Sequence, residues 1–282
     1  MAASDPSPLA GLLERLTLEQ LDVDLLLGEP GPGSGRLFGG LVAAQSVVAA
    51  GRTVERGVLH SLHAYFLRPG RHDAPLRFLV HRIRDGRSFT TRRVVAHQGG
   101  EAIFNVSASF AVPEDGISHQ DGPMPDAPPP DDLPDWEAER VRLMGKGLPP
   151  DPGPVEARVC DPDHPDGRPQ PPRKRIWLRP RGPLPEDPLI HTAMLVYASD
   201  RALLSTAARP HGLPWGRRRG ASLDHALWIH RPIRFDDWFL YAMESPVAHA
   251  ARGLCLGAMY RRDGVRLASV AQEALIRVPR GG

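Results

Sequence analysis

The sequence predicts an α+β protein in which one long helix enclosed by an antiparallel sheet is built twice in a single chain. Three observations carry this. Between Pro113 and Pro188, the segments DAPPPDDLP, GLPPDPGPVEA, DPDHPDGRPQPPRKR and RGPLPEDP concentrate proline far above the flanks. Each flank opens with a small-residue or apolar helical stretch and continues as strands. The flanks also echo one another: LVAAQS against LVYASD, Arg-Pro pairs at Arg68-Pro69 and Arg231-Pro232, and Gly-centred hairpins at QGGEA and RDGVR. The expected division is an N-terminal domain over 1–115, a proline-rich connector over 116–188 and a C-terminal domain over 189–282.

In the first half, LFGGLVAAQSVVAAGR has helical character. LHSLHAYFLRP and PLRFLVHRIRDGRSFTTRRVVAHQGGEAIFNVSASFAV follow, and their alternation and glycine turns give an antiparallel meander. Within the connector a short helix is expected at WEAERVRLM and a brief strand at RKRIWLR, the rest wrapping a surface. No Pro or Gly interrupts the chain from His191 through Ala208, so that segment reads as one uninterrupted helix. Strands follow in SLDHALWIHRP and DWFLYAMESPVAHAARGLCLGAMYRRDGVRLASVAQEALIRV.

The 282 residues suffice for a substantial core, and a net charge of +2 with 24% charged residues argues against nucleic acid or an acidic membrane as partner. A small molecule is expected instead. Cys160 and Cys255 supply neither a disulfide framework nor a zinc quartet, which fits a reduced, cytoplasmic setting. The N-terminus lacks the features of a signal peptide, no apolar run approaches the ~20 residues of a membrane span, and the terminal VPRGG does not match the peroxisomal address.

Asp200 is the first candidate for chemistry. On a continuous helix its neighbours are Val196, Tyr197, Leu203 and Leu204, so a carboxylate sits inside the stripe that should be buried. An unpaired buried carboxylate costs several kcal/mol, so specific donors or a solvated pocket must meet it. Two are available. Gln272 falls in register with Ala268, Val270, Ala274 and Ile276, and Ser222 shares a face with Asp224, Ala226 and Trp228. A hydroxyl and an amide are the donors such a carboxylate needs. The first half has no counterpart: aligning the echoes sets Ser46 opposite Asp200, and Ala108 opposite Gln272 on the apolar face of Ala102, Phe104, Val106 and Phe110.

RLFGGLVAAQSV, SLHAYFLRPG, RDGRSFTTRRV, LVYASD, SLDHALWIHRP and LASVAQEA, in this order across nearly the whole chain, resemble the acyl-CoA thioesterase II family of double-hotdog enzymes. The resemblance implies two hotdog domains, each a sheet around a long helix, and hydrolysis of fatty acyl-CoA without metal or bound cofactor. It carries the catalytic roles onto Asp200, Ser222 and Gln272, the residues that phasing selects. Two departures stand out: Ser222 replaces the usual Thr, keeping the hydroxyl but losing the methyl that restricts its rotamers, and Ala274 replaces a common Gly. Chemically, Asp200 would act as general base on a water held with Ser222 and Gln272, or attack directly to form an anhydride. The expected partners are an acyl-CoA substrate and, for assembly, further copies of the chain, with no nucleic acid and no membrane insertion. The rivals are a hotdog enoyl-CoA hydratase and a noncatalytic acyl-CoA-binding protein. The hydratase would need an Asp and His beside the first helix, where Gly39, Gly40 and Ser46 stand instead.

Other constellations weigh less. DPDHPDG has the look of a calcium loop, but Pro165 occupies the third ligand position, which favours an exposed turn. The spacing of a GxSxG elbow is missing. His225 and His63 are read as strand histidines bonded for structure, and Arg173, Lys174 and Arg175 as a solvated charged turn rather than a phosphate site.

Overall fold

A computed structural model describes residues 7–144, 153–164, 166–213 and 219–278. Pro165 and the C-terminal 279–282, both used in the sequence reading, lie outside the described residues. The first half comprises α1 (Pro8–Arg15), β1 (Glu19–Asp22), β2 (Leu25–Gly28), α2 (Gly39–Gly51), β3 (Val58–Phe66), β4 (Leu76–Asp85), β5 (Phe89–Gln98) and β6 (Glu101–Ala111). The second comprises α3 (Trp136–Met144), β7 (Val155–Val159), β8 (Arg173–Pro180), α4 (Pro188–Ser199), α5 (Leu203–Ala208), β9 (Arg219–Ser222), β10 (Asp224–Ile229), β11 (Phe239–His249), β12 (Arg252–Arg261) and β13 (Arg266–Arg277). The expected helix at WEAERVRLM and strand at RKRIWLR are both present, as α3 and β8.

All strands join one antiparallel sheet in the order β1-β2-β4-β5-β6-β3-β10-β13-β12-β11-β8-β7, with β9 paired to β13. The two halves have the same strand order, and they meet where β3 pairs with β10 through Leu62 opposite Leu227. Within 116–188, β7 and β8 complete the second half's sheet in the places that β1 and β2 take in the first. The rest of that stretch covers the sheet's outer face: Met124, Ala127 and Leu133 pack on Trp177, Trp238, Leu240 and Tyr260, and the Trp177 indole N–H donates to the Pro128 carbonyl at 2.8 Å.

α2 and α4 are buried nearly all round, so packing rather than an amphipathic stripe places them. α2 lies on β3–β6, and α4 lies against α2. A Cβ on Gly40, at the start of α2, would come 2.6 Å from the carbonyl oxygen of Tyr197 near the end of α4, while Gly51, at the end of α2, sits against Leu189 at the start of α4. The two helices are therefore antiparallel, and each puts its N-terminus beside the other's C-terminus.

The expected uninterrupted helix from His191 to Ala208 is corrected. α4 ends at Ser199, Asp200 is its C-cap, and Ala202 adopts a left-handed φ of 68° before α5 begins. Left-handed backbone costs a non-glycine residue on the order of 1 kcal/mol. Burial of α5 against β11, β12 and β13 holds the break in place.

Candidate active site

The break takes Asp200 off the apolar stripe and sets it on the wall of a cavity. Because Asp200 caps α4 while facing the N-terminus of the antiparallel α2, the backbone N–H of Gly40 pulls its carboxyl toward the ionised form. The first residues of a helix have N–H groups without intrahelical partners, and the N-cap of α2 is Phe38, whose side chain accepts nothing. Asp200 of the second half thus lies at the N-terminus of the first half's helix, where the positive end of the dipole favours negative charge.

Ser222 reaches the same point by an irregularity of the sheet. Ser222 pairs with Ala274, but Ala226 pairs with Ala271, so the β9–β10 side carries one residue more than β13 over this interval. This is a bulge at Leu223, tied down by Leu223 N–H to the Glu273 carbonyl at 2.9 Å and by Glu273 N–H to Asp224 Oδ1 at 2.6 Å. The expected face of Ser222, Asp224, Ala226 and Trp228 is corrected accordingly: past the bulge the inward residues are His225 and Leu227, and Trp228 is 38% exposed. Ser222 itself lines the cavity. On β13, alternation holds, and Ala268, Val270, Gln272 and Ala274 are buried together.

The three polar residues meet. The Ser222 hydroxyl donates to Asp200 Oδ1 at 3.3 Å, and Gln272 Nε2 donates to Ser222 Oγ at 2.9 Å. Behind them, Gln272 Oε1 lies 2.7 Å from His225 Nδ1, and His225 Nε2 lies 2.8 Å from Ser199 Oγ. Tyr241 closes this end by donating its hydroxyl to the Ser199 carbonyl at 2.8 Å. Burial pushes the Asp200 carboxyl above its ordinary range, against the opposing pull of His225, Ser222, Gly40 and Gln272. Asp200 is partly exposed as a residue, and it lines the cavity.

The cavity, of about 680 Å³, has the size of a small-molecule site. Phe38, Val42, Phe66, Phe104, Ile176 and Leu204 give it an apolar interior drawn from both halves and from the connector, and Arg36, Arg68 and Arg201 also line it. Arg173, Lys174 and Arg175 do not. They lie in β8, where Lys174 pairs with Asp163 at 3.0 Å and Arg175 with Asp161 at 2.8 Å. Asp166 pairs with Arg168, so every acid of DPDHPDG is taken by a cation. No group of three or more metal-ligating side chains occurs among the described residues. His63 is exposed and stacks edge-on against Trp228.

At the corresponding place in the first half, Ser46 is buried and donates to the Val42 carbonyl of its own helix. Ala108 lies opposite Arg92, as Gln272 lies opposite Cys255. The Arg92 guanidinium, 1% exposed, fills the interior there and bonds Thr53 and Asp85. Sequence reasoning missed Gly40, Ser199 and Tyr241 and gave His225 only a structural role. Signals existed in the pair of glycines that opens α2 and in the adjacent Asp-His after Ser222.

Residues 156–275 match the family model described as acyl-CoA thioesterase, and residues 29–111 match that of the acyl-CoA thioesterase N-terminal domain. Acyl-coenzyme A thioesterase 8 of Mus musculus is 40% identical over 280 residues, spanning 93% of this chain and 88% of that protein. The crystal structure of an acyl-CoA thioesterase II from Mycobacterium marinum is 43% identical with a TM-score of 0.80, covering 96% of this chain and 100% of that one. A protein of unknown function with a hot dog fold from Alicyclobacillus acidocaldarius, 21% identical with a TM-score of 0.79 over 95% of this chain and 98% of its own, supports the fold alone. The chain belongs to the acyl-CoA thioesterase II family and is a thioester hydrolase.

Proposed function

We propose that the chain is a double-hotdog enzyme that hydrolyses medium to long straight-chain acyl-CoA in the cytoplasm, with Asp200, Ser222 and Gln272 as its catalytic residues. Its domains are the two hotdogs over 1–115 and 189–282, the connector 116–188 lending strands and cavity wall to the second. One observation carries this reading: a hydroxyl and an amide from separate strands converge on a carboxylate at the wall of an apolar cavity. The apolar lining suits an acyl tail, and Arg36, Arg68 and Arg201 suit the phosphates of the carrier. The free state of Cys160 and Cys255 accords with a reducing compartment.

A water lodged between Asp200, Ser222 and Gln272 gives its proton to Asp200 as its oxygen bonds to the thioester carbonyl carbon. Collapse of the tetrahedral intermediate breaks the carbon–sulfur bond, and Asp200 returns the proton to the departing thiolate, leaving a carboxylic acid and free thiol. The positive end of α2 favours negative charge throughout. Raising the carboxyl's pKa makes Asp200 a stronger base than a solvated aspartate, at the cost of activity in acid.

Thiol release measured across acyl-CoA substrates of graded length tests the function: turnover should rise with chain length into the medium and long range, and silence at every length would refute it. Ser222→Ala and Gln272→Ala should each raise the barrier by about 1 to 3 kcal/mol, seen as a lower kcat, with the folded yield preserved. Loss of solubility in both, with wild-type rate in whatever stays folded, would assign them to structure instead.

A further inference from the structure

His225 is 1% exposed and touches neither the cavity nor Asp200 through a hydrogen bond, yet it contacts Gln272 at 2.7 Å. We propose that His225 is a positioning residue that fixes which end of the Gln272 amide faces Ser222, and thereby the direction in which Ser222 donates its proton. This rests on the reading of Gln272 given above.

A glutamine amide can occupy the same space in two orientations that exchange oxygen and nitrogen. With Nε2 toward Ser222, the serine oxygen accepts from Gln272 and its single proton goes to Asp200. With the amide reversed, Oε1 would take that proton, Ser222 would present a bare oxygen to the carboxylate, and Asp200 would lose a donor. The choice is made at the far end. A proton on His225 Nδ1 requires an acceptor opposite it, so Oε1 must turn to the imidazole and Nε2 to the serine.

The surroundings of the ring supply that proton. Ser199 Oγ lies 2.8 Å from His225 Nε2 and 2.8 Å from the Val196 carbonyl oxygen. If Ser199 donates to the ring, the neutral imidazole carries its proton on Nδ1. If Ser199 donates to Val196 instead, Nε2–H donates to Ser199 and Nδ1 is left bare. Only that second arrangement would admit the reversed amide, and it leaves Ser222 and Asp200 oxygen against oxygen at 3.3 Å. The satisfied arrangement is a one-way chain of donors from His225 through Gln272 and Ser222 to Asp200. Removing the imidazole strands Oε1 in a buried site, where an unmet acceptor is costly.

Two polar replacements separate positioning from packing. An asparagine at 225 can offer its amide N–H near the Nδ1 position, whereas a glutamine reaches toward the Nε2 position and Ser199. His225→Asn should keep kcat within about threefold of wild type, while His225→Gln should lose about tenfold or more at similar KM. On a Gln272→Ala background the two should turn over alike. Equal losses in both variants, or wild-type kcat in both, would overturn the proposal. Gln272→Ala at wild-type rate would remove the proposed catalytic set and this role with it; a slow Gln272→Ala beside equal His225 variants would remove this role alone. ¹⁵N NMR of histidine-labelled wild-type protein gives a check independent of any variant's folding: Nδ1 of His225 should carry a proton, and an unprotonated Nδ1 would contradict the proposal.

Discussion

Gly40→Ala is expected to lower stability and turnover together, although alanine is ordinarily the better helix former by about 1 kcal/mol. The added Cβ would stand 2.6 Å from the Tyr197 carbonyl oxygen and 2.5 Å from Phe38 Cε1. A ring edge can give way, but a backbone carbonyl in the last turn of α4 cannot move without moving the helix. The start of α2 must therefore retreat from α4. Such overpacking costs about 1 to 3 kcal/mol, read as a melting temperature several degrees lower. The Gly40 N–H retreats with it, and since that N–H pulls the carboxyl's pKa down, its withdrawal should shift the acid limb of the rate profile to higher pH. Gly11→Ala serves as the control. It lies in α1 with its nearest neighbour, Arg15, 3.8 Å from the new Cβ, so the intrinsic preference should appear there as a small gain. Equal behaviour of the two variants would mean that the helix crossing does not constrain Gly40.

The legible parts of this structure are those in which one rule runs without interruption. Gln272 stands out because β13 alternates strictly around it, and the β4–β5–β6 and β11–β12–β13 meanders follow from alternation, the second turn of each closed by glycine at positive φ, Gly99 and Gly100 in one and Gly264 in the other, while Ala250 and Ala251 take positive φ at the β11–β12 turn. β1 and β2, four residues each, are too short for a period to show, and β1 is exposed throughout. The break after Asp200 has no Gly or Pro to announce it, because Ala202 takes the left-handed conformation and tertiary burial of α5 bears the strain. The bulge at Leu223 reverses the strand's phase after Ser222, so the same alternation that places Gln272 misplaces Trp228 and hides His225. Gly40 escapes a local reading because its partner lies in the other half of the chain.

Asp200→Asn is expected to lose about 10² to 10⁴ in kcat, while acyl-CoA still binds and the fold is as stable or more so. The stability follows from the sign of the pKa shift. Folding raises the Asp200 carboxyl, so it favours the protonated form; relative stability is fully present in acid and is lost as pH rises through the folded pKa. At neutral pH the native protein bears the cost of a desolvated charge, and asparagine removes it. The melting temperature of the variant should match or exceed wild type near neutrality, and any difference should shrink in acid. For the wild-type enzyme the acid limb of kcat/KM should lie above the ordinary carboxylate range, because the base works only when ionised.

We propose that each chain has one catalytic set, built on Asp200, with Ser46, Ala108 and the buried Arg92 filling the corresponding place in the first half. The most direct measurement is the rate of thiol release by Asp200→Asn relative to wild type, with a chain length that the wild type hydrolyses. A residual rate below about one hundredth is the expected result. Retention of about half the wild-type rate would contradict the claim, because it would place a second working site in the first half.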